Sequence, residues 1–325
     1  MINIVIVGCG EFGSRHLQAL SLLQESTKIH LIDNSEKALN TTLDRFNDVY
    51  DKASQSLIEV RICRNLTDVR NDIDVAIVAT GSESRLAVIT DLLNIISPKY
   101  IILEKFLFQK SDYFSQAQLL INKSNTKVYV NQWLSSDYLF SRVKNWFDNF
   151  NQIKMKVSGG NWGLSCNSIH FVDSFESLVS EGINKTFACL NRVYPSKRSG
   201  YYELNGSISL TTETGSELTL ISEDISTDDI NILIESRDKK VHMVLKPNQQ
   251  VFINFNDSKG QFNEVGRFPL QSSMTQTIVQ ELMLYGDCKL PSYETSSRQH
   301  LLLLPIFDKF IRDEIGWNKA GCPIT

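Results

Sequence analysis

Gly8, Gly10 and Gly13 stand in the stretch GCGEFG, directly after the apolar run INIVIV. Glycines at this spacing serve three ends where a strand turns into a helix. Gly8 permits the tight turn, Gly10 lets a pyrophosphate approach the backbone, and Gly13 lets the helix pack close to the sheet. Glu11 and Phe12 complete the loop, and the helix start offers free N–H groups and a positive dipole end to phosphate oxygens. The next strand-like run, KIHLID, ends in Asp33, twenty residues beyond Gly13. A carboxylate there can accept both hydroxyls of an adenosine ribose and repels a 2′-phosphate. Asn34 and Ser35 follow it, with no Arg or Lys adjacent. The expected cofactor is NAD rather than NADP.

The elements that must carry these residues alternate. DVAIVAT (74–80) and KYIILEK (99–105) read as buried strands, with the amphipathic ESRLAVITDLLNII between them, and TKVYVNQ (126–132) follows the helical SDYFSQAQLLINK. Such alternation predicts a doubly wound parallel sheet, the Rossmann type, whose ligands lie at the carboxyl ends of the strands. Thr80, Glu104, Lys105 and Asn131 stand at those ends. Past about residue 150 come short alternating runs divided by Gly, Asp, Asn and Ser, the mark of a mostly antiparallel sheet. One helix-like segment, NSIHFVDSFESLVSEG, precedes them, and two more, near 269–286 and 296–315, follow. The apolar HLLLLPIF reads as a buried helix broken or begun near Pro305. The domains expected are 1–132, binding the cofactor, and 133–325, an α+β domain with a large open sheet for substrate and oligomerisation, with room for the C-terminal helices to pack back on the first.

The bulk numbers narrow the function classes. The chain has 325 residues, 42% hydrophobic and 22% charged, with a net charge of −4. That is globular composition with no basic footprint for nucleic acid and no membrane-surface patch. The apolar run at residue 2 is too short for a signal peptide, and no stretch approaches the roughly 20 residues that span a bilayer. A cytoplasmic location is expected. Six cysteines at wide spacings are read as reduced thiols. The five histidines match no zinc pattern, so no metal is expected.

In order along the chain, GCGEFGSRHLQAL, VAIVATGSES, LEKFL and IHFVDSF resemble the glycine loop with its Arg-His pair, the strand-four segment, the Glu-Lys-Pro motif and the His-x-x-Asp helix of the Gfo/Idh/MocA oxidoreductases. This resemblance covers nearly the whole chain. It implies NAD(P)-dependent oxidation or reduction at a carbon of a sugar, polyol or nucleotide sugar, possible service in surface-carbohydrate synthesis, and assembly as a homodimer or homotetramer through the open sheet. It implies that Lys105 lies between nicotinamide and substrate, that His170 is the acid/base group and that Glu104 matches the motif's Glu. The chain departs from the family in three places. Phe106 replaces a Pro that often follows a cis peptide; a cis bond before a non-proline residue is disfavoured, so a trans backbone is expected. Cys166 stands four residues before His170, where an Asp is common. Gly81 and Arg85 replace a frequent Pro and His.

Lys105 can steady a developing alkoxide, and His170 can exchange a proton near neutral pH. With one group on each domain, the cleft between them would form the site. In GGNWGLSCNSIH, the amide, hydroxyl and aromatic side chains suit a hydroxylated substrate, which nominates Trp162, Cys166 and Asn167 beside Asn131 and His170. The bland alternatives are a surface loop over a buried Trp, a surface Glu104–Lys105 ion pair and a core histidine at 170. Asp173 either orients His170 or caps and faces solvent. His16 is read as structural, Cys166 as a packing residue and YPSKRSGYY as an exposed turn. Two further functions stay open: a non-catalytic NAD-binding sensor or regulator, and a dehydrogenase of an amino or imino acid.

Overall fold

A computed structural model describes residues 1–50, 57–69, 72–147 and 152–325. The chain divides into two compact units, Met1–Asn131 with Leu270–Ser297, and Gln132–Pro269 with Arg298–Thr325. The segment Leu270–Ser297 thus belongs with the first unit.

The first unit alternates strand and helix. β1 (Ile2–Val7), α1 (Glu11–Leu20), β2 (Thr27–Ile32), α2 (Glu36–Asn47) and β3 (Ile58–Ile62) come first. β4 (Val75–Val78), α3 (Arg85–Asp91, prolonged by a π-helical turn to Ile96), β5 (Tyr100–Leu103), α4 (Ser111–Asn122) and β6 (Lys127–Val130) follow. Among the described residues the sheet is six-stranded, in the order β3-β2-β1-β4-β5-β6, and every pairing is parallel. The runs are apolar on both faces because helices cover both. Ile4 pairs with Ile29 and Val75, Ile6 with Leu31 and Ile77, and Ile77 with Ile102. The order reverses between β1 and β4, which opens a crevice at their carboxyl ends.

The second unit holds α5 (Tyr138–Trp146), β7 (Lys154–Gly160), α6 (Leu164–Val179), β8 (Ile183–Pro195), β9 (Tyr202–Thr212) and β10 (Glu217–Glu223). β11 (Ile230–Ser236), β12 (Lys239–Leu245), β13 (Gln250–Asp257) and β14 (Gly260–Arg267) complete its sheet. Its described strands form an eight-stranded sheet, β14-β13-β12-β11-β7-β10-β9-β8, antiparallel except where β10 runs parallel to β7. The alternation noted in the sequence becomes two buried rows across the strands. One runs Leu210, Leu218, Met155, Ile234, Val241, Phe255; the other runs Ile208, Leu220, Val157, Ile232, Met243, Ile253. α6 lies against β9 and β10 on this face. The turn between Pro195 and Tyr202 is exposed, as its polar residues suggested.

α7 (Thr275–Tyr285) and α8 (Tyr293–Ile315) close the described chain. Ile278, Val279, Leu282 and Leu290 join the core of the first unit beside Leu17, Leu20 and Ile102. α8 neither breaks nor begins at Pro305 but runs through it. Proline costs one intrahelical bond there, while Leu303, Leu304, Phe307 and Ile311 on either side are buried and hold the turns in place. Among the described residues no helix is long and apolar enough to cross a membrane.

Candidate functional site

The glycine loop leaves β1 at Gly8, whose φ of 94° is open to glycine. A Cβ on Gly13 would sit 1.9 Å from the Gly8 carbonyl oxygen, so α1 approaches the strand at a distance only glycine allows. A Cβ on Gly10 would meet nothing within 4 Å. Gly10 is the N-cap of α1 and brings no capping side chain, so no side chain from that position satisfies the first N–H groups of the helix. The Asp33 carboxylate braces the loop, accepting from the backbone N–H of Cys9 at 2.6 Å and of Ser35 at 2.8 Å. Thr42 Oγ1 donates to the Cys9 carbonyl at 2.8 Å.

A cavity of about 250 Å³ adjoins the loop, lined by Gly10, Glu11, Ser35, Lys37 and Arg45 among others. Two cations thus stand where sequence adjacency showed none. Lys37 lies in the first turn of α2, and Arg45 reaches back from its last turn to Glu11 at 2.8 Å and Ser14 at 2.6 Å. Phe12 is 38% exposed in the first turn of α1. The Thr80 hydroxyl oxygen at the end of β4 is buried with no hydrogen-bond partner among the described residues. The open space at Gly10, the uncapped helix start and this orphaned hydroxyl fit a dinucleotide, whose diphosphate would rest on Gly10–Gly13.

At the ends of β5 and β6 the structure builds a buried chain of polar groups. Glu104 Oε1 accepts from His16 Nε2 at 2.9 Å and from the Asn131 amide at 2.7 Å. Because a carboxylate only accepts, Nε2 carries the hydrogen. Nδ1 of the same ring is 2.6 Å from Thr275 Oγ1. His16, Glu104 and Asn131 are all buried. Burial pushes the Glu104 carboxyl up, but the hydrogen bonds from His16 and Asn131 and the charges of His16 and Lys105 outweigh it and hold it below the ordinary range. Glu104 and Asn131, nominated for cofactor and substrate, are placed in this internal network, and His16 is structural, as expected.

Lys105, half-buried, follows Glu104. The Lys105–Phe106 peptide is cis, which corrects the trans backbone expected from Phe106. The surroundings account for it: Phe106, Leu107 and Phe108 are fully buried, and the Arg85 guanidinium donates to the Phe106 and Leu107 carbonyls. The same side chain donates to the Thr80 carbonyl. The sequence marked Arg85 only as a departure from the family pattern; its partners, 21 and 22 positions away, were not legible there.

In the second unit, α6 carries Cys166, Asn167, His170 and Asp173. His170 is 7% exposed, with its ring 6.1 Å from that of Trp133. Asp173 neither caps nor faces solvent. Ser135 Oγ donates to it at 2.5 Å and the Gln299 amide at 3.2 Å, and burial pushes its carboxyl up to about 6. Gln299 also donates to Glu176 at 2.8 Å, and Arg298 grips both oxygens of Glu176. The start of α6 is capped from β9: Glu203 accepts from the Ser165 backbone N–H at 3.0 Å and its hydroxyl at 2.6 Å. Glu203 and Gln299 escaped the sequence because their partners are remote in the chain.

Gly159 and Gly160 are the last two residues of β7. Their Cβ positions would lie 2.7 Å from the Asp229 carbonyl oxygen and 2.3 Å from that of Ile225. Trp162 is buried, donates its indole N–H to the Ile221 carbonyl at 2.7 Å and meets Phe171 edge-on. Asn167 donates to the Trp162 carbonyl at 2.8 Å. Cys166 is half-buried, with Sγ 3.7 Å from the Gly163 carbonyl oxygen.

Comparison with known proteins agrees with this layout. Residues 2–132 match the Gfo/Idh/MocA family, described as "Oxidoreductase family, NAD-binding Rossmann fold". No curated protein sequence matches the chain. Among solved structures, an oxidoreductase from Agrobacterium radiobacter, in complex with NAD+, L-tartaric acid and magnesium, is 14% identical; the match covers 93% of this chain and 94% of that one, at a TM-score of 0.72. The transcriptional regulator Gal80p from Kluyveromyces lactis is 14% identical, over 96% and 93% of the two chains, at 0.73. KijD10, a 3-ketoreductase from Actinomadura kijaniata in complex with NADP and TDP-benzene, is 14% identical, over 92% and 94%, at 0.67. At such identity these likenesses show the fold. The matched segment, with its glycine loop and strand order, has the Rossmann fold that the Gfo/Idh/MocA family's description names as NAD-binding.

Proposed function

We propose that the protein is an NAD-dependent oxidoreductase acting between the carbinol and keto forms of a sugar or nucleotide sugar. The observation that carries this reading is the glycine loop, with open space at Gly10 and a lysine at the end of β5. When bound, the nicotinamide accepts or supplies the hydride. Gly10, Glu11, Phe12 and Gly13 offer backbone N–H groups to the diphosphate, and Asp33 accepts from the adenosine ribose. Thr80 gives its hydroxyl to the cofactor. Lys105 holds positive charge at the reacting oxygen, and His170 takes the hydroxyl proton on oxidation and returns it on reduction. Trp162, Cys166, Asn167 and Asn131 shape the substrate's surroundings in this reading.

Calorimetry of the nucleotide-free protein is expected to register NADH binding, and a panel of sugars and nucleotide sugars to yield turnover. Lys105→Ala is expected to lower kcat by about 10²–10⁴-fold and to leave NADH affinity largely intact. Absence of NADH binding to folded protein overturns the proposal. For cofactor choice, the Asp33 carboxylate opposes a 2′-phosphate, while Lys37 and Arg45 would attract one. Asp33→Ala is therefore expected to raise NADPH affinity relative to NADH, and equal use of the two by the unmodified protein would refute the NAD preference.

A second reading, an NAD-binding regulator, is favoured by one observation: Cys166 occupies the position where the family resemblance leads one to expect an Asp. The likeness to Gal80p, a transcriptional regulator, points the same way. A protein that binds NADH, turns over no member of the panel and co-purifies with a protein partner would be the regulator. The likeness to a ketoreductase solved with a TDP ligand favours the enzyme.

A further inference from the structure

Arg85 opens α3, yet its side chain is turned inward and is 1% exposed. The position is unfavourable on two counts: a guanidinium out of water loses its hydration, and a positive charge in the first turn of a helix opposes the dipole. The offset comes from carbonyl oxygens. Nη1 donates to those of Phe106 and Leu107, the latter at 2.9 Å, and Nη2 donates to that of Thr80. These carbonyls belong to two different loops. Thr80 follows β4 and lies against Gly8, since a Gly8 Cβ would sit 2.8 Å from its backbone nitrogen. Phe106 and Leu107 directly follow Lys105.

We propose that Arg85 is the positioning residue for Lys105: its planar fork ties the backbone just after Lys105 to the loop beside Gly8, and so aims the ammonium relative to the bound dinucleotide. The proposal rests on the role given to Lys105 above. It turns on geometry that lysine cannot copy, because an ammonium is a single point on a flexible stem and cannot span two loops as a rigid fork. The Phe106–Phe108 core anchors the loop from below; Arg85 anchors it sideways.

The test uses the whole protein with its lysines reductively methylated with ¹³C, the Lys105 resonance being identified by its loss in Lys105→Ala. Arg85→Lys and Arg85→Met are the variants and NADH is the probe. Both variants are expected to bind NADH much as the unmodified protein does, while the Lys105 resonance moves or broadens and no longer responds to NADH as before. With a substrate the unmodified enzyme oxidises, kcat is expected to fall about 100-fold, with KM for the nicotinamide nucleotide little changed. A folded variant whose Lys105 resonance and response to NADH match the unmodified protein overturns the proposal. Should Arg85→Met fail to fold, Arg85→Lys decides by the same criterion. If the unmodified protein binds no NADH, the function reading fails separately; a Lys105 resonance alike in the nucleotide-free protein and its variants would then overturn the role of Arg85 too.

Discussion

His16 shows how much one side chain can hold at once. Its ring joins Glu104 on one side to Thr275 on the other, both out of water. Replacing it with Phe keeps the bulk but leaves a buried carboxylate without its main partner. Breaking a buried pair from one side costs about 3–5 kcal/mol, so His16→Phe is expected to lower stability by that order in urea unfolding of the first unit. His16→Phe with Glu104→Gln is expected to recover most of the loss, because the uncompensated charge is gone. A cycle in which the double variant is no more stable than the single one would refute the coupling. By its contacts the Glu104 carboxylate is a member of this internal network.

The loop from β1 to α1 makes separable demands on its glycines. Gly13→Ala places a methyl 1.9 Å from the Gly8 carbonyl oxygen and must push helix from strand. It is expected to cost about 1–3 kcal/mol, read as a fall in melting temperature. Gly10→Ala meets nothing in the protein. It is expected to leave the melting temperature almost unchanged and to weaken NADH binding, because the methyl enters the space the diphosphate needs. Equal losses of stability in the two variants would remove the case for a cofactor cradle. This loop was legible in the sequence because its chemistry is local: three glycines, a strand before them and an acidic residue at the next strand end lie within Ile2–Asp33. The sheets were legible for a related reason. Runs apolar on both faces and runs that alternate need different neighbours, and the buried rows through Met155 and Val157 reproduce the alternation. What escaped was pairing at long range. Arg85 on the Phe106 loop, Glu203 on the start of α6 and Gln299 on Asp173 join residues 21, 38 and 126 positions apart, and nothing in a short window marks them. The cis bond before Phe106 escaped because the packing that holds it comes from α3 and the buried aromatic residues, not from its own dipeptide.

Across the molecule, the two units carry opposite acid responses. Glu104 is held below the ordinary value of a glutamate carboxyl by its partners, so its contribution to the first unit is full above that ordinary value and is lost as pH falls through the folded one. Asp173 is raised from 3.8 to about 6, chiefly by burial. Its fold favours the protonated form, so the second unit loses stability as pH rises from 3.8 towards 6, by on the order of 2–3 kcal/mol, and is level above. Trp133, Trp146, Trp162 and Trp317 all lie in the second unit, so tryptophan fluorescence follows that unit's unfolding in urea. Asp173→Asn is expected to flatten the decline between pH 4 and 6; a slope unchanged in the variant would assign it elsewhere. The division of the chain has another consequence. The first unit is closed by Leu270–Ser297, which supply Ile278, Val279, Leu282 and Leu290 to its core and Thr275 to His16. Emerging from a ribosome at about 5–20 residues per second, all six strands of the parallel sheet exist on the order of 10–30 s before α7 arrives to cover them. Through that interval the growing polypeptide carries an uncapped greasy face, which makes a holding chaperone useful.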